Sequence, residues 1–403
     1  MKPVLGWTLM SRDQMRQVER SLTNGAQDTR DEIGFLILHQ GFADRFFPGT
    51  SVLHTRVRYA LFVPWLYCQA AADRRRGRDL EGKLRDLLIT LAERLNLREK
   101  YGVIGGDKPG QLTSQPPDRV YWTALRTWGL LLSGVESRAE ALRRLSGGAV
   151  GRGQRDDDGG DLDDGSESEV FAGLPKKPKG WFEPESPLDF LLPADEREYL
   201  KGKLSILPRP GEAQLSLLAR LTDGGIAFAG ESHPWDKEVR SVADPADREA
   251  LSLAQDAAHL AAIGRTVYGA LVEDLREQDA VSTAKTYRNL MPAKFEEHGA
   301  RAAHCDIVAI ARLIPGIPGY VLEVLRQTCE FVRNAKPQAY LDLLNCYKIS
   351  EVRRKGSQRA RLEQTPRSRQ RRFEWDPDRH NVDPLHYRWR VVESIRADLN
   401  GRA

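Results

Sequence analysis

The sequence lacks any apolar run of the about 18 residues that a membrane-spanning helix needs. Its longest apolar stretch, residues 60–68, is much shorter and lies just after the charged residues Arg56 and Arg58. The first residues, MKPVLGWTLMSRDQ, lack the apolar region and the small-residue cleavage site of a signal peptide. We therefore expect a cytoplasmic protein that has no membrane partner.

Clustered cysteines and a strong charge imbalance are also missing. The four cysteines, Cys68, Cys305, Cys329 and Cys346, lie far apart and form no C-x-x-C pair. Because a zinc site needs cysteine and histidine at short spacing, we interpret them as reduced and mostly buried thiols, and we predict no metal and no organic cofactor. The net charge of +4 is too small to indicate a nucleic-acid partner by itself.

Helical periodicity is what the sequence has in abundance. One apolar stripe recurs every three or four residues and predicts an amphipathic helix; it comprises Leu84, Leu87, Leu88, Leu91 and Leu95. Similar patterns predict further helices at residues 11–24, 194–207, 212–222, 244–277, 282–297, 300–313, 318–334 and 336–348. The fold class that follows is mainly α, a multi-helix globular protein.

Strand patterns are few and short. The best candidates are the pair Val103 and Ile104 and the stretch 226–228. These leave open the alternative of an α+β protein with a small, minor sheet.

Two segments interrupt the helical pattern. Residues 147–169 are rich in Gly, Asp and Ser and contain no aromatic residue, so we predict an internal disordered linker that extends through a Pro-rich stretch to residue 183. The predicted domains are an N-terminal helical domain (1–146), the linker (147–183), a second helical domain (184–349), and a basic arm with the C-terminal segment (350–403). Within the arm, residues 353–372 are dense in Lys and Arg, which predicts either a solvated, mobile loop or a segment that contacts DNA phosphates.

The segment 41–67 brings together more kinds of potentially catalytic or ligand-binding side chains than any other segment. It contains the carboxylate of Asp44, a Pro-Gly turn followed by hydroxyls, His54 and three arginines. The turn predicts that Asp44 ends one helix and that His54 opens another, which brings these groups together around one turn. Two alternatives are structural: the aromatic residues of the segment belong to the core, and Arg58 pairs with Asp44.

Three other stretches resemble ligand sites. Residues 101–110 contain four glycines beside Lys108, which would let backbone amides approach a phosphate, although no Walker or dinucleotide-binding motif is present. Residues 313–319, LIPGIPG, resemble the turn of helix–hairpin–helix modules that bind the DNA backbone; Pro318 departs from that pattern by removing an amide, and an ordinary turn between two helices is the alternative. Near the C-terminus, residues 384–390 group His386 with Arg388, either closing on the N-terminal segment or anchoring the last helix.

Several of these stretches together resemble a large uncharacterised bacterial family. They are Gly6-Trp7, the run FADRFFPGTSVLHTRVRYALFVPW (42–65), GVIGG (102–106), PDRVYWTALRTWG (117–129) and HYRW (386–389). Members of that family occur beside phage-defence genes, which implies a role against foreign DNA. The chain is also similar to the prokaryotic antiphage DNA glycosylases, which remove bulky modified cytosines, for example glucosylated hydroxymethylcytosine, from phage DNA and leave abasic sites.

The chemistry of base excision assigns roles to the residues of the segment. A carboxylate, here Asp44, would stabilise the oxocarbenium-like sugar and position water, while His54 would orient or protonate the base and Arg58 would hold the leaving base or a phosphate. The side chains assigned to substrate and DNA binding are Arg45, Phe47, Thr50, Ser51, Arg56, Tyr59, Lys108, Tyr121, His386 and Arg388. Two other functions compete with the glycosylase: a metal-dependent nuclease, for which no motif is present, and a non-enzymatic DNA-binding or sensor subunit of a multi-gene defence system.

Overall fold

A computed structural model describes residues 32–72, 79–99, 101–151, 170–223, 233–281, 285–334 and 336–401. The protein is mainly helical, as the periodicity predicts. Within these ranges no sheet forms, and β pairing is limited to two isolated bridges, Leu131 with Phe171 and Pro208 with Leu215. Val103 and Ile104 lie in a turn, so the prediction of a strand there is wrong.

The described chain forms two compact units, each built from segments that are distant in sequence. The first unit contains the described residues within 1–38 and 253–385, and the second contains those within 39–252 and 386–403. These limits differ from the contiguous boundaries predicted from composition. No helix of the described residues is both long enough and apolar enough to cross a bilayer.

The second unit contains most of the short helices. Its helices are α1 (Phe35–Phe46, which begins in the first unit), α2 (Tyr59–Ala72), α3 (Leu80–Asn96), α4 (Pro117–Val120), α5 (Trp122–Thr127), α6 (Arg138–Gly151), α7 (Ala194–Ser205), α8 (Leu217–Asp223), α9 (Lys237–Val242) and α16 (Trp389–Leu399). Helix α2 is apolar on all sides and packs against α3, α4 and α6, as expected for a helix at the centre of a core. The leucine stripe of α3 is confirmed at four of its five positions, since Leu84, Leu88, Leu91 and Leu95 are buried and Leu87 is half-buried.

The first unit is organised around one long helix. Its helices are α10 (Pro245–Gln278, which begins in the second unit), α11 (Thr286–Ala303), α12 (Ile307–Leu313), α13 (Gly319–Arg333), a 3-10 helix (Pro337–Leu343), α14 (Leu344–Lys355), α15 (Pro366–Phe373) and a second 3-10 helix (Pro377–Arg379). Helix α13 packs against α11, α12, α14 and the first 3-10 helix. Asp306 caps α12 by accepting hydrogen bonds from the amides of Val308 and Ala309 at 3.0 and 2.9 Å.

The linker predicted at 147–183 overlaps described residues at both of its ends. Helix α6 continues to Gly151, past the position where the linker was placed, and residues 152–169 lie outside the described residues, as does the predicted helix at 11–24. Beyond them, Phe171 and Trp181 are buried, and the Trp65 indole donates to the Pro175 carbonyl at 3.1 Å. Residues 170–183 are therefore packed chain, because two large aromatic side chains anchor them.

The basic arm is also largely folded. Lys355, Arg361 and Arg372 are buried, and the first two pair with the buried carboxylate of Glu32. Arg372 pairs with Asp279 at 2.7 Å and donates to two backbone carbonyls. The prediction of a mobile loop throughout 353–372 is wrong, because internal carboxylates and carbonyls satisfy these three cations. Arg353, Arg359 and Arg367 remain exposed.

Candidate functional site

The 47–54 loop, which joins α1 to the residues before α2, is fixed by hydrogen bonds from outside and from within. Gly49 has a φ of +79°, and the Trp128 side chain packs closely against it. The indole N–H of Trp128 donates to the Pro48 carbonyl at 3.0 Å. Within the loop, the Thr50 hydroxyl donates to the Phe47 carbonyl at 2.6 Å. Ser51 accepts a hydrogen bond from the Leu53 amide at 3.3 Å. The predicted Pro-Gly turn is thus present, and glycine is required there by its positive φ.

Asp44 and Arg388 meet at this loop, a contact that belongs to one of the two alternatives given for the C-terminal segment. One guanidinium nitrogen of Arg388 lies 2.7 Å from a carboxylate oxygen of Asp44 and 2.8 Å from the Thr50 carbonyl. The Asp44 side chain is 50% exposed, whereas that of Arg388 is 12% exposed. The arrangement presents one accessible carboxylate beside a cation that neutralises it.

The backbone that carries Arg388 is strained. Tyr387 and Arg388 have φ values of +48° and +62°, a left-handed conformation that costs non-glycine residues energy. The Tyr387 ring is fully buried and lies 5.2 Å from that of Phe42, which holds the strained pair in place. His386, beside them, is exposed and lies edge-on to His39 at 5.0 Å. Strain of this kind concentrates at functional sites. Here the strained residues place the Arg388 guanidinium in contact with the Asp44 carboxylate.

His54 is a buried, neutral histidine. Its Nε2 lies 3.1 Å from the Val120 carbonyl, and its ring stacks on Tyr121 at 4.2 Å. Burial lowers the pKa of His54 from 6.5 to about 3, against the raising effect of the Val120 hydrogen bond. The imidazole therefore donates from Nε2 and carries no charge near neutral pH. His54 does not open a helix, since α2 begins at Tyr59.

Arg58 is separate from Asp44. It is buried and forms a bidentate pair with Glu196 at 2.7 and 2.6 Å, and it also pairs with Asp189 at 2.9 Å. Burial raises the pKa of Glu196, and the hydrogen bonds from Arg58 oppose that rise. The alternative that Arg58 pairs with Asp44 is wrong; Arg58 is a buried ion-pair partner of Glu196 and Asp189.

Arg45 and Arg56 also have internal carboxylate partners. Arg45 bridges Glu212 at 3.1 Å and the fully buried Asp247 at 3.3 Å. Arg56 contacts Asp398 at 2.9 and 2.8 Å through two nitrogens. Burial raises the pKa of both Asp247 and Asp398, and the neighbouring arginines oppose that effect. These two arginines hold the unit together, which leaves them few donors for phosphates.

The aromatic residues assigned to base stacking belong to the core. Phe47, Tyr59 and Tyr121 are at most 1% exposed. The Tyr121 hydroxyl donates to the Arg56 carbonyl at 2.8 Å and accepts from the Thr55 amide at 3.0 Å, so it ties the chain before α2 to α5. Their burial agrees with the alternative that these rings belong to the core, and in this conformation none of the three exposes a ring face on which a base could stack.

The glycine-rich stretch 101–110 uses its amides internally. Gly110 donates its amide to the Glu93 carboxylate at 3.1 Å, and Gly106 donates to the Val103 carbonyl at 3.3 Å. Lys108 is exposed. A carboxylate of the chain therefore lies where the sequence suggested that a phosphate would approach.

In the first unit, the 313–319 stretch forms a turn between α12 and α13. Pro315 is followed by Gly316 at φ +88°, which is the Pro-Gly sequence and the positive φ at its second residue that a type II turn requires. The flanking Ile314 and Ile317 are buried, whereas Pro315 and Gly316 are exposed. Pro318 is the N-cap of α13, where it lies in extended conformation. The outline is that of a helix–turn–helix pair whose apolar anchors fix an exposed turn.

The sequence interpretation missed two features. Val52 and Leu53 are 52% and 42% exposed at the tip of the 47–54 loop; two consecutive apolar residues after a Pro-Gly turn were the available signal. Asp342, in the first 3-10 helix, is exposed and forms no ion pair within the described part of the first unit. Its signal was weak, because a single carboxylate in a helical pattern is ordinary.

Comparison with protein-family models gives a match over most of the chain. A model described as a family of unknown function (DUF6361) matches residues 4–289, which include the 47–54 loop but not Arg388 or the α12–α13 turn. No curated protein and no solved structure matches the chain. Because the matched residues make up more than half of the 403 residues, the chain belongs to the DUF6361 family.

Proposed function

We propose that this protein binds DNA and contacts the sugar-phosphate backbone with the α12–α13 turn of its first unit. The observation that carries the proposal is the exposed turn at Pro315 and Gly316, held between the buried side chains of Ile314 and Ile317. An exposed turn anchored in this way presents backbone donors in a fixed geometry, and such donors bind phosphate without reading sequence.

The amides at the start of α13 supply the donors. Val321 and Leu322 both donate to the Pro318 carbonyl, at 2.9 and 3.1 Å. Gly319 and Tyr320 precede them as the first two residues of the helix, so their amides have no intrahelical acceptor. Pro318 removes one donor from the turn, as the sequence indicated, but it leaves these two.

Positive charge accompanies the turn. Arg312 lies in the last turn of α12, is exposed, and forms no ion pair within the described residues of the unit. The same unit exposes Arg353, Arg359 and Arg367 of the basic arm. Guanidinium groups of this kind neutralise phosphates and release counterions, which gives binding that weakens as salt increases. An action on phage DNA, which the family resemblance implied, is the setting in which we place this binding.

Two substitutions at one position test the turn. Gly319→Pro removes the amide, yet proline is accepted at the first helical position and the preceding residue is already extended. Gly319→Ala retains the amide, and its Cβ would meet open space. We expect Gly319→Pro to weaken duplex binding about tenfold relative to Gly319→Ala, since a hydrogen bond to a charged group contributes about 1.5 kcal/mol or more.

Charge is tested separately by titration against salt. The plot of log K against log salt has a negative slope. Arg312→Gln should make this slope shallower by about one unit, as the loss of one phosphate contact requires. Arg85→Gln, which removes an exposed arginine of α3, is the control and should leave the slope unchanged. Equal binding by Gly319→Pro and Gly319→Ala, together with an unchanged slope for Arg312→Gln, would show that the turn does not contact DNA.

A second candidate function is base excision at Asp44. It is favoured by the strained backbone at Tyr387 and Arg388, whose guanidinium contacts the half-exposed Asp44 carboxylate. In that reaction the bond between the sugar and the modified cytosine breaks, the base leaves with its bonding electrons and gains a proton, and water adds to the sugar. Asp44 would stabilise the positive charge that develops on the sugar and orient the water.

The glycosylase is tested on DNA that contains glucosylated hydroxymethylcytosine. Incubation followed by alkali should produce strand breaks with the wild type and none with Asp44→Asn. Asp342→Asn tests one exposed carboxylate of the first unit in the same assay, and Asp107→Asn removes an exposed carboxylate of the second unit as the control. Intact DNA after treatment with the wild type would exclude excision of this base, while retained activity in Asp44→Asn and loss in Asp342→Asn would move the reaction to the first unit.

A further inference from the structure

We propose that Val52 and Leu53 form an apolar wedge that inserts between neighbouring base pairs of a DNA duplex. This inference rests on the proposed function in one respect, namely that DNA is the partner. Val52 and Leu53 are 52% and 42% exposed and are adjacent in sequence. Single exposed apolar side chains are common on protein surfaces, but two consecutive ones at the tip of a loop concentrate apolar area at one point.

The loop that carries the wedge is held rigidly. The Trp128 indole donates to the Pro48 carbonyl at 3.0 Å, and Arg388 donates to the Thr50 carbonyl at 2.8 Å. After the tip, His54 is hydrogen-bonded to the Val120 carbonyl at 3.1 Å. Contacts at three points, on both sides of the tip, fix its conformation before any partner arrives. A rigid apolar tip loses little conformational entropy on insertion, which is what a wedge requires.

The charge around the tip favours a polyanion. Arg119 precedes Val120, the hydrogen-bond partner of His54, and it is exposed with no ion pair within the described residues. Arg126 precedes Thr127, which packs against Gly49; its guanidinium donates to the Glu136 carbonyl at 3.2 Å and forms no ion pair among the residues that the structure describes. The negative charge of Asp44 is balanced by Arg388. Both arginines are thus next in sequence to residues that contact the loop or His54, and an apolar tip accompanied by exposed guanidinium groups fits a duplex, because arginines bind phosphates while the tip meets the base stack.

Insertion of an aliphatic tip into the base stack has a defined role in DNA binding. Proteins that insert aliphatic side chains into a duplex unstack one base step, at a cost of a few kcal/mol, and gain contacts with the bent backbone. Unstacking is also the first event when an enzyme takes a base out of the helix. The wedge therefore serves either function proposed above, as a device for bending DNA or as one for exposing a modified base.

The test uses the full chain and a duplex that contains 2-aminopurine, whose fluorescence rises when it is unstacked. The wild type should bind the duplex and raise the fluorescence. The double variant Val52→Ser/Leu53→Ser should lose at least three quarters of that rise and bind about threefold or more weakly. Ile206→Ser is the matched control, because Ile206 is an aliphatic side chain of the same unit that is 70% exposed; it should behave as the wild type does.

The outcomes separate the wedge from DNA binding itself. Binding of the wild type without a rise in fluorescence, or an equal rise with the double variant, would overturn the wedge and leave the proposed function standing. Absence of duplex binding by the wild type would overturn both. Loss of binding to vesicles that contain phosphatidylserine in the double variant, with an unchanged fluorescence response on DNA, would assign the tip to an anionic membrane surface instead. Matching thermal unfolding curves for all variants would exclude misfolding as the cause of any difference.

Discussion

Acid should destabilise the protein through His54 in a defined pH window. Burial lowers the pKa of His54 from 6.5 to about 3 in the folded protein. Between these values the unfolded chain binds a proton that the folded chain does not, so folding stability falls as the pH falls. The contribution of His54 is complete above about pH 6.5 and is lost progressively toward pH 3.

The magnitude follows from the two pKa values. At pH 5 the imidazole is almost fully protonated in the unfolded chain and almost fully neutral in the folded one. This pH lies about 1.5 units below the pKa of the unfolded chain, and each of these units lowers the free energy of unfolding. At about 1.4 kcal/mol per unit, the free energy of unfolding should fall by about 2 kcal/mol between pH 7 and pH 5 because of His54 alone.

Urea unfolding at pH 7 and pH 5 measures this difference. His54→Gln retains an amide N–H that can donate to the Val120 carbonyl but does not titrate, so the variant should lose about 2 kcal/mol less than the wild type over that interval. The comparison concerns the pH dependence, and the loss of stacking on Tyr121 is cancelled because it is the same at both pH values. His304→Gln removes an exposed imidazole and serves as the control. An equal fall in stability for wild type and His54→Gln would refute the assignment of His54 as a buried neutral donor.

Three further substitutions separate structural from functional roles. Arg58→Met leaves Glu196 buried without its partner and should cost about 3–5 kcal/mol in urea unfolding, most of it recovered in Arg58→Met/Glu196→Gln; unchanged stability would contradict the core role. Asp44→Asn removes one partner of a half-exposed pair and should change the unfolding free energy by less than about 1 kcal/mol, so a larger loss would show that Asp44 is needed for folding. Gly49→Ala should lower the melting temperature, since the new methyl group meets Trp128 at a positive φ, and an unchanged melting curve would exclude that strain.

The helices were predictable because burial imposes a period on the sequence. The leucines of α3 fall at helical spacing because one face of that helix is buried, and the same reasoning located α7, α10 and α13. The 170–183 stretch was placed in a linker because composition averages over a window. Its two anchors, Phe171 and Trp181, are single residues in a polar setting, and their burial depends on contacts with distant parts of the second unit.

The partners of charged residues were much harder to predict. Asp44 and Arg58 are 14 positions apart in a segment that suggested an ion pair, yet Arg58 pairs with Glu196 and Asp44 with Arg388. Each of these pairs joins residues more than 130 positions apart, and spacing along the chain carries no information at that distance. The strain at Arg388 is equally invisible in the sequence, because left-handed backbone at a non-glycine residue is imposed by tertiary contacts.

The proposed contact with DNA depends on which arginines already have carboxylate partners within the protein. A guanidinium that is buried against carboxylates cannot turn to a phosphate without leaving a carboxylate unpaired, which costs several kcal/mol. Arg58, Arg361 and Arg372 fall under that limit, although they lie in the segments whose composition first suggested DNA. Arg119 and Arg312 pay no such cost, since both are exposed and neither forms an ion pair within the described residues. Under the proposed DNA binding, phosphate contact therefore falls to exposed arginines without a carboxylate partner, and not to every cation of a basic segment.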